Sequence, residues 1–262
     1  MPQRSTYPDG EPCWADVVTP DLDAAKAFYQ ALFGWECQGS GPEFGNYTMC
    51  LVDGRPVAGI TPAPPSGAGF PAMWNVYLAS SDADTSAARA EQGGGKILMG
   101  PLEIPGSGRM MVGLDPAGAA FGVWQGTGHV GARITGEPGT MAWAEAYTRD
   151  AAATDVFYHS MFGYEQEQIG DGAGFDYTVW SLGGPPVCGR LLMGDQFPAE
   201  MQPHWLAYFA VDDVDAAAER AAANGGTVND GPFDSPHGRL AIVSDPQGAL
   251  FSVIDMSRTS AG

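Results

Sequence analysis

The sequence predicts an α+β fold made of four tandem β-α-β-β-β units. Two observations carry this prediction: the two halves of the chain repeat each other, and each half divides again into two units with one element order. Composition supports it. Over 262 residues, 44% apolar against 16% charged leaves ample core and excludes a disordered chain, a coiled coil or collagen.

The repeat is read from matched residues. Trp14-Ala15 precedes Asp21, Phe28-Tyr29 and Phe33-Gly34; Trp143-Ala144 precedes Asp150, Phe157-Tyr158 and Phe162-Gly163, at an offset of 129. Tyr47-Thr48 matches Tyr177-Thr178, and Gly59 matches Gly189. Gly108-Arg109, Asp115-Pro116, Gly118-Ala119 and Phe121 match Gly238-Arg239, Asp245-Pro246, Gly248-Ala249 and Phe251, at an offset of 130. So many matches in one order mark a duplication. The expected organisation is a first domain over 1–125, a linker over 126–139 and a second domain over 140–262.

The first unit opens with an apolar strand over 13–18. A helix follows, with Asp21 as N-cap, Ala25, Phe28, Tyr29 and Leu32 on one face, and Gly34 as the stop. Three short strands are expected near 35–38, 47–52 and 56–61, before a Pro-rich break over 62–71. The second unit repeats the order: strand 73–79, helix 82–92, then strands near 96–99, 110–113 and 119–124. Gly93-Gly94-Gly95 ends its helix, as Gly225-Gly226 does in the second half.

Twelve basic residues against 31 acidic ones give a formal charge of −19. No basic stripe is available to neutralise phosphates, so nucleic acid and anionic membrane surfaces are excluded as partners. The apolar stretches are strand-sized, and residues 1–10 contain no apolar targeting segment, so a cytoplasmic location is expected. Cys13, Cys37, Cys50 and Cys188 form no CxxC and read as reduced, mostly buried thiols rather than a zinc site. There is no P-loop lysine, no GxSxG and no Cys–His pair, so phosphate cradling and nucleophilic catalysis have no support.

Four such units, with D-P-x-G-A before the last strand of each half, resemble the vicinal oxygen chelate superfamily. That group includes glyoxalase I, bleomycin-resistance proteins, fosfomycin-resistance enzymes and extradiol dioxygenases. The resemblance covers essentially the whole chain, which also resembles the fused two-domain actinobacterial members often found near secondary-metabolite pathways. It implies two cup-shaped mixed sheets, each formed by two units set edge to edge around metal and substrate. It leaves open whether successive units pair, or the first with the fourth and the second with the third. Four units in one chain can complete both cups, so a monomer or a homodimer is expected.

The same resemblance implies where metal ligands would stand: a His, Gln or Glu on the first strand of a unit and a Glu on the last. Here those positions fall on Trp14, Trp74, Trp143 and Leu206 or its neighbour Trp205, with Gly122 and Ser252 in place of the glutamates. None of these can hold a divalent ion. The expectation is therefore no metal and no other cofactor.

Alternation along a strand then says what fills each cup. If Trp14 points inward, so does Asp16; if Trp143 does, so does Glu145. Each half thus presents Trp-x-acid, and a carboxylate in a Trp-lined cavity has its pKa raised toward neutrality, which suits a general acid or base. Structural pairing of these acids with Arg109 or Arg239 is the competing reading. Trp14, Trp74, Trp124 and Trp143 are candidate walls for a flat aromatic ligand. Tyr47 and Tyr177 can orient a ligand oxygen. His204 can serve as an acid–base partner at a cup mouth, whereas His129 and His159 are expected at the surface. The expected ligand is a small, apolar, polycyclic aromatic metabolite. The expected activity is acid–base tailoring by dehydration, cyclisation or ketal formation, or isomerisation. The alternative is a self-resistance protein that sequesters a drug without chemistry.

Overall fold

The computed structural model describes residues 3–64, 71–170 and 175–258. Most of the Pro-rich break lies outside them.

The first unit comprises β1 (Pro12–Thr19), α1 (Leu22–Phe33), β2 (Glu36–Gly39), β3 (Thr48–Val52) and β4 (Arg55–Pro62). The second comprises β5 (Met73–Ala79), α2 (Ala83–Gln92), β6 (Lys96–Ile104), β7 (Gly108–Leu114) and β8 (Ala120–Gly126). In the second half these recur as β9 (Met141–Thr148), α3 (Ala151–Phe162), β10 (Glu165–Ile169), β11 (Tyr177–Ser181) and β12 (Pro186–Leu192). The last unit is β13 (His204–Ala210), α4 (Val214–Ala223), β14 (Thr227–Ser235), β15 (Gly238–Ser244) and β16 (Leu250–Asp255).

α1 begins at the Asp21 cap read from the sequence, and each of the other three helices begins after an equivalent aspartate. Asp21, Asp82, Asp150 and Asp213 each accept a hydrogen bond from the backbone N–H three residues on, a contribution of about 1 kcal/mol per helix. Gly34 and Gly163 close α1 and α3 in the left-handed region, with φ of 73° and 76°. β6 and β14 are each nine residues long, against the four-residue strand expected for β6, because irregularities in their pairing with β7 and β15 let the ladder continue past Gly100-Pro101 and Gly231-Pro232.

The strands form two eight-stranded mixed sheets, ordered β2-β3-β4-β1-β5-β8-β7-β6 and β10-β11-β12-β9-β13-β16-β15-β14. Successive units therefore pair, through antiparallel β1–β5 and β9–β13. Helices and the inner faces of both sheets share one core, which includes Val17, Phe28, Tyr29, Trp35, Trp74, Trp205, Phe209 and Phe251. Full burial of each large apolar side chain there contributes roughly 1.5–3 kcal/mol.

The halves interlock through the D-P-x-G-A turns. Asp245 accepts from its own turn at Ala249 N (2.8 Å) and from Tyr29 of α1 (3.0 Å). Asp115 accepts from Ala119 N (2.9 Å) and from Tyr158 of α3 (3.3 Å). The face of each sheet turned away from the helices, the cup face, carries a second and separate apolar cluster.

Candidate functional site

The cup faces are built by register. On β1 the side chains alternate, so Ala15 and Val17 enter the shared core while Trp14 joins the cup cluster with Tyr77 and Trp124. Trp14 lies opposite Tyr77, and Asp16 opposite Asn75. Across the next pairing Tyr77 lies beside Gly122. The second half repeats the row: Trp143 opposite Tyr208, Glu145 opposite Leu206, and Tyr208 beside Ser252.

Asp16 is 5% exposed, and its side-chain partners among the described residues are an amide and two phenols rather than a cation. It accepts from Asn75 Nδ2 at 3.1 Å, from the Tyr77 hydroxyl at 3.2 Å and from the Tyr47 hydroxyl at 3.4 Å. Burial pushes its carboxyl up to about 6, partly opposed by these three donors. Arg109 and Arg239 are occupied elsewhere, with Asp84 and with Asp215 and Asp234. The structural pairing weighed for the two acids is therefore not the one the chain makes.

Glu145 is also buried. Burial pushes it up to about 7, against hydrogen bonds from Tyr208 and Tyr177. Glu145 starts from a higher ordinary value than Asp16, 4.5 against 3.8, and Leu206 stands where Asn75 stands in the first cup, so Glu145 also lacks an amide donor.

Tyr47 and Tyr177 reach these acids for a common reason. Gly59 pairs with Asp16 and Gly189 with Glu145 on the adjacent strands. A Cβ on Gly59 would stand 1.8 Å from the Tyr47 hydroxyl, and one on Gly189 2.2 Å from that of Tyr177. Each glycine leaves the space its tyrosine occupies. Trp14 Nε1 donates to Tyr47 at 2.8 Å and Trp143 Nε1 to Tyr177 at 2.9 Å, leaving each phenol O–H directed at a carboxylate.

Two sequence expectations change. Trp74 does not face a cup. It lies opposite Val17 and packs in the shared core, 4.9 Å from Phe209 ring to ring, with its N–H on Tyr29 at 3.0 Å. The cup-facing residues of β5 are instead Asn75 and Tyr77. His129 is not a free surface residue: its ring meets Trp14 edge-on at 4.5 Å and Trp124 at 5.7 Å. Burial depresses it to about 4 and keeps it neutral.

The sequence reading placed Tyr147 inward with Glu145 but missed Asn75, Tyr77 and Tyr208 as neighbours of the acids. Tyr77 and Tyr208 carried a signal, since both stand three residues after a tryptophan on the first strand of their units.

Trp124 faces the first cup, its N–H on the His129 carbonyl at 2.7 Å. Trp143 faces the second and is only half-buried. His204 lies opposite Tyr147 and stacks on it at 4.9 Å, with Nδ1 at 2.8 Å from the Gln202 carbonyl oxygen and burial lowering its pKa. Its Nε2 is buried with no hydrogen-bond partner, as is that of His129. A cleft of about 360 Å³ lies beside Trp143, lined also by Arg4, Glu11 and Pro186; neither Glu145 nor its tyrosines reach it.

The model of the glyoxalase/bleomycin resistance protein/dioxygenase superfamily matches this chain twice, over 14–123 and 131–253. The chain belongs to that superfamily. Within it, the chain is 42% identical over 97% of its length to CFP32 of Mycobacterium tuberculosis (strain CDC 1551 / Oshkosh), which carries a provisional glyoxylase name, covering 98% of that protein. It is 39% identical over 95% of its length to the anthracycline biosynthesis protein DnrV of Streptomyces peucetius, covering 94% of it. The Mn(II)-bound glyoxalase from Novosphingobium aromaticivorans shares the fold, with a TM-score of 0.64 at 19% identity over 97% of this chain and 86% of that one. So does the 2,3-dioxygenase LapB from Pseudomonas sp. KL28, at 0.66 and 15% over 95% and 93%.

The residues present do not fit the divalent ion that the superfamily implies. The row Trp14–Tyr77–Gly122 crosses the positions where ligands would stand, and a Cβ on Gly122 would lie 2.2 Å from the Tyr77 ring. A glutamate cannot occupy that place with Tyr77 where it is. Ser252 turns its hydroxyl to the Ala241 carbonyl at 3.1 Å. Among the described residues, no three His, Cys, Asp or Glu side chains converge, and each cup offers one carboxylate among phenols and indoles.

Proposed function

We propose that this protein is a secondary-metabolism enzyme that binds an apolar, polycyclic aromatic metabolite and tailors it by metal-independent acid–base chemistry. The observation that carries this reading is the pair of repeat-related carboxylates, Asp16 and Glu145. Each is buried with no cation beside it among the described residues, held by two tyrosines and pushed up toward neutrality. Such a group is protonated often enough to act as an acid and ionised often enough to act as a base. The biosynthetic name of DnrV supports a polycyclic aromatic substrate.

Glu145 is the better placed of the two at neutral pH. Its protonated carboxyl gives a proton to a leaving hydroxyl or a carbonyl oxygen. Its carboxylate then removes one from the adjacent carbon or from an attacking hydroxyl. The net result is dehydration, ring or ketal closure, or isomerisation, with no change of oxidation state. Tyr177 and Tyr208 donate to the carboxylate and so hold its position. Trp143, and Trp14 and Trp124 in the first cup, supply flat apolar surface for the rings. His204 presents an unpaired Nε2 that can receive a ligand hydroxyl.

The test is turnover and binding of anthracycline aglycone precursors by wild type, Asp16→Asn and Glu145→Gln. Loss of an acid–base group lowers turnover by about 10²–10⁴-fold with binding retained. A protein that binds tightly, returns the ligand unchanged and loses affinity only on Trp→Ala changes is a sequestering protein, and the catalytic reading fails.

A further inference from the structure

Cys37 on β2 and Cys50 on β3 stand directly opposite each other in an antiparallel pair. Directly opposed residues have Cα atoms roughly 4.5–5.5 Å apart, inside the range of about 4.4–6.8 Å that a disulfide spans. Both side chains point to the same face of the sheet, against the shared core. Cys50 is buried and Cys37 half-buried, and both are reduced. The fold does not demand this pair, since Gln166 and Trp180 oppose each other at the repeat-related place. Cys13 is engaged separately, its thiol on the Tyr77 carbonyl at 3.4 Å.

We propose that Cys37 and Cys50 form an oxidisable dithiol that a low-molecular-weight disulfide converts into an intramolecular cross-strand bond. Cys37 is the entry point because it alone of the pair reaches solvent. Its thiolate attacks one sulfur of RS–SR, forming a mixed disulfide and releasing RS⁻. The Cys50 sulfur then gives up its proton, attacks the Cys37 sulfur and expels the second RS⁻. Two protein thiols are oxidised, and one small disulfide is reduced to two RSH. A hydrogen bond from the Cys50 thiol draws Cys37 below the ordinary thiol value, against burial and with help from Lys26, which raises its thiolate fraction.

The bond ties β2, the outermost strand of the first sheet, to β3. β3 begins immediately after Tyr47, whose hydroxyl meets Asp16. Oxidation therefore anchors the strand that carries one wall of the first cup. This inference is independent of the catalytic reading.

The experiment is incubation of the reduced full-length protein with oxidised glutathione near neutral pH, followed by alkylation, intact mass and peptide mapping. The wild type should lose two alkylatable thiols, retain no glutathione and yield a Cys37–Cys50 cross-linked peptide. Cys50→Ser should instead hold one glutathione on Cys37, and Cys37→Ser should form neither product at these positions. A wild type that keeps glutathione on Cys37, or whose four cysteines all remain alkylatable, overturns the proposal. The wild-type map decides this even if a variant does not fold.

Discussion

The Trp143 indole N–H donates to the Tyr177 hydroxyl at 2.9 Å, and in the other half Trp14 does the same to Tyr47 at 2.8 Å. The indole can only donate, so it occupies an acceptor site on the phenol oxygen and leaves the phenol proton for the carboxylate. Trp143→Phe keeps an aromatic wall and removes that constraint. Tyr177 then holds the ionised form of Glu145 less well, and the carboxyl should titrate above its present value of about 7. Carboxyl-carbon NMR titration of Glu145 reads this directly. An unchanged or lower titration point would show that the indole does not orient the phenol.

Leu206 and Asn75 occupy equivalent places beside the two acids. Leu206→Asn should supply Glu145 with an amide donor and lower its pKa toward that of Asp16, about 6. Asn75→Leu should raise Asp16 in the opposite sense. The same NMR titration applied to both variants checks the pair. Parallel movement in both cups would contradict the lowering effect assigned to this amide.

Raised carboxyl pKa values make stability depend on pH. Glu145 holds its proton in the folded state up to about 7 but loses it nearer 4 when unfolded. Between these limits the folded state binds more protons, so stability falls as pH rises through this window. Glu145→Gln removes the linkage. The variant should gain on the order of 2–3 kcal/mol over wild type at pH values well above 7, and the gain should vanish below about 4. Thermal or urea unfolding across this range measures it. A gain that does not depend on pH would have another origin.

The Tyr29 hydroxyl accepts from Trp74 and donates to Asp245 of the other half. Tyr29→Phe leaves the Trp74 N–H and one Asp245 oxygen short of a partner inside the core. The cost should be about 1–3 kcal/mol, seen as a lower urea midpoint with an unchanged slope. Tyr158→Phe should behave alike through Trp205 and Asp115, whose contacts mirror these. A neutral outcome for both would mean that the packing tolerates the loss.

Much of the fold is legible along the chain because its signals are local. Aspartate caps, glycine stops and one-sided helices read directly at Asp21, Gly34 and Phe28. That Asp16 shares a face with Trp14 follows from period-two alternation within a single strand. Trp74 shows where that reading ends. Alternation says that Trp74 shares a face with Val76, but not which face points toward the cup. That depends on the register of β5 against β1, which a shift between Pro12 and Trp14 helps to set. His129 has no strand to place it; it meets Trp14 only because the segment after β8 returns along β1, with Ala132 N on the Cys13 carbonyl at 2.8 Å.

The sequence by itself determined the fourfold element order and the two Trp-x-acid strands, because each is written in residue type and short-range spacing. Tertiary structure decided that successive units share a sheet, that Tyr77 and Tyr208 stand over the acids, and that Asn75 and Leu206 set them apart. Those contacts join residues about sixty positions apart in the chain, and only strand register brings such residues within hydrogen-bond reach.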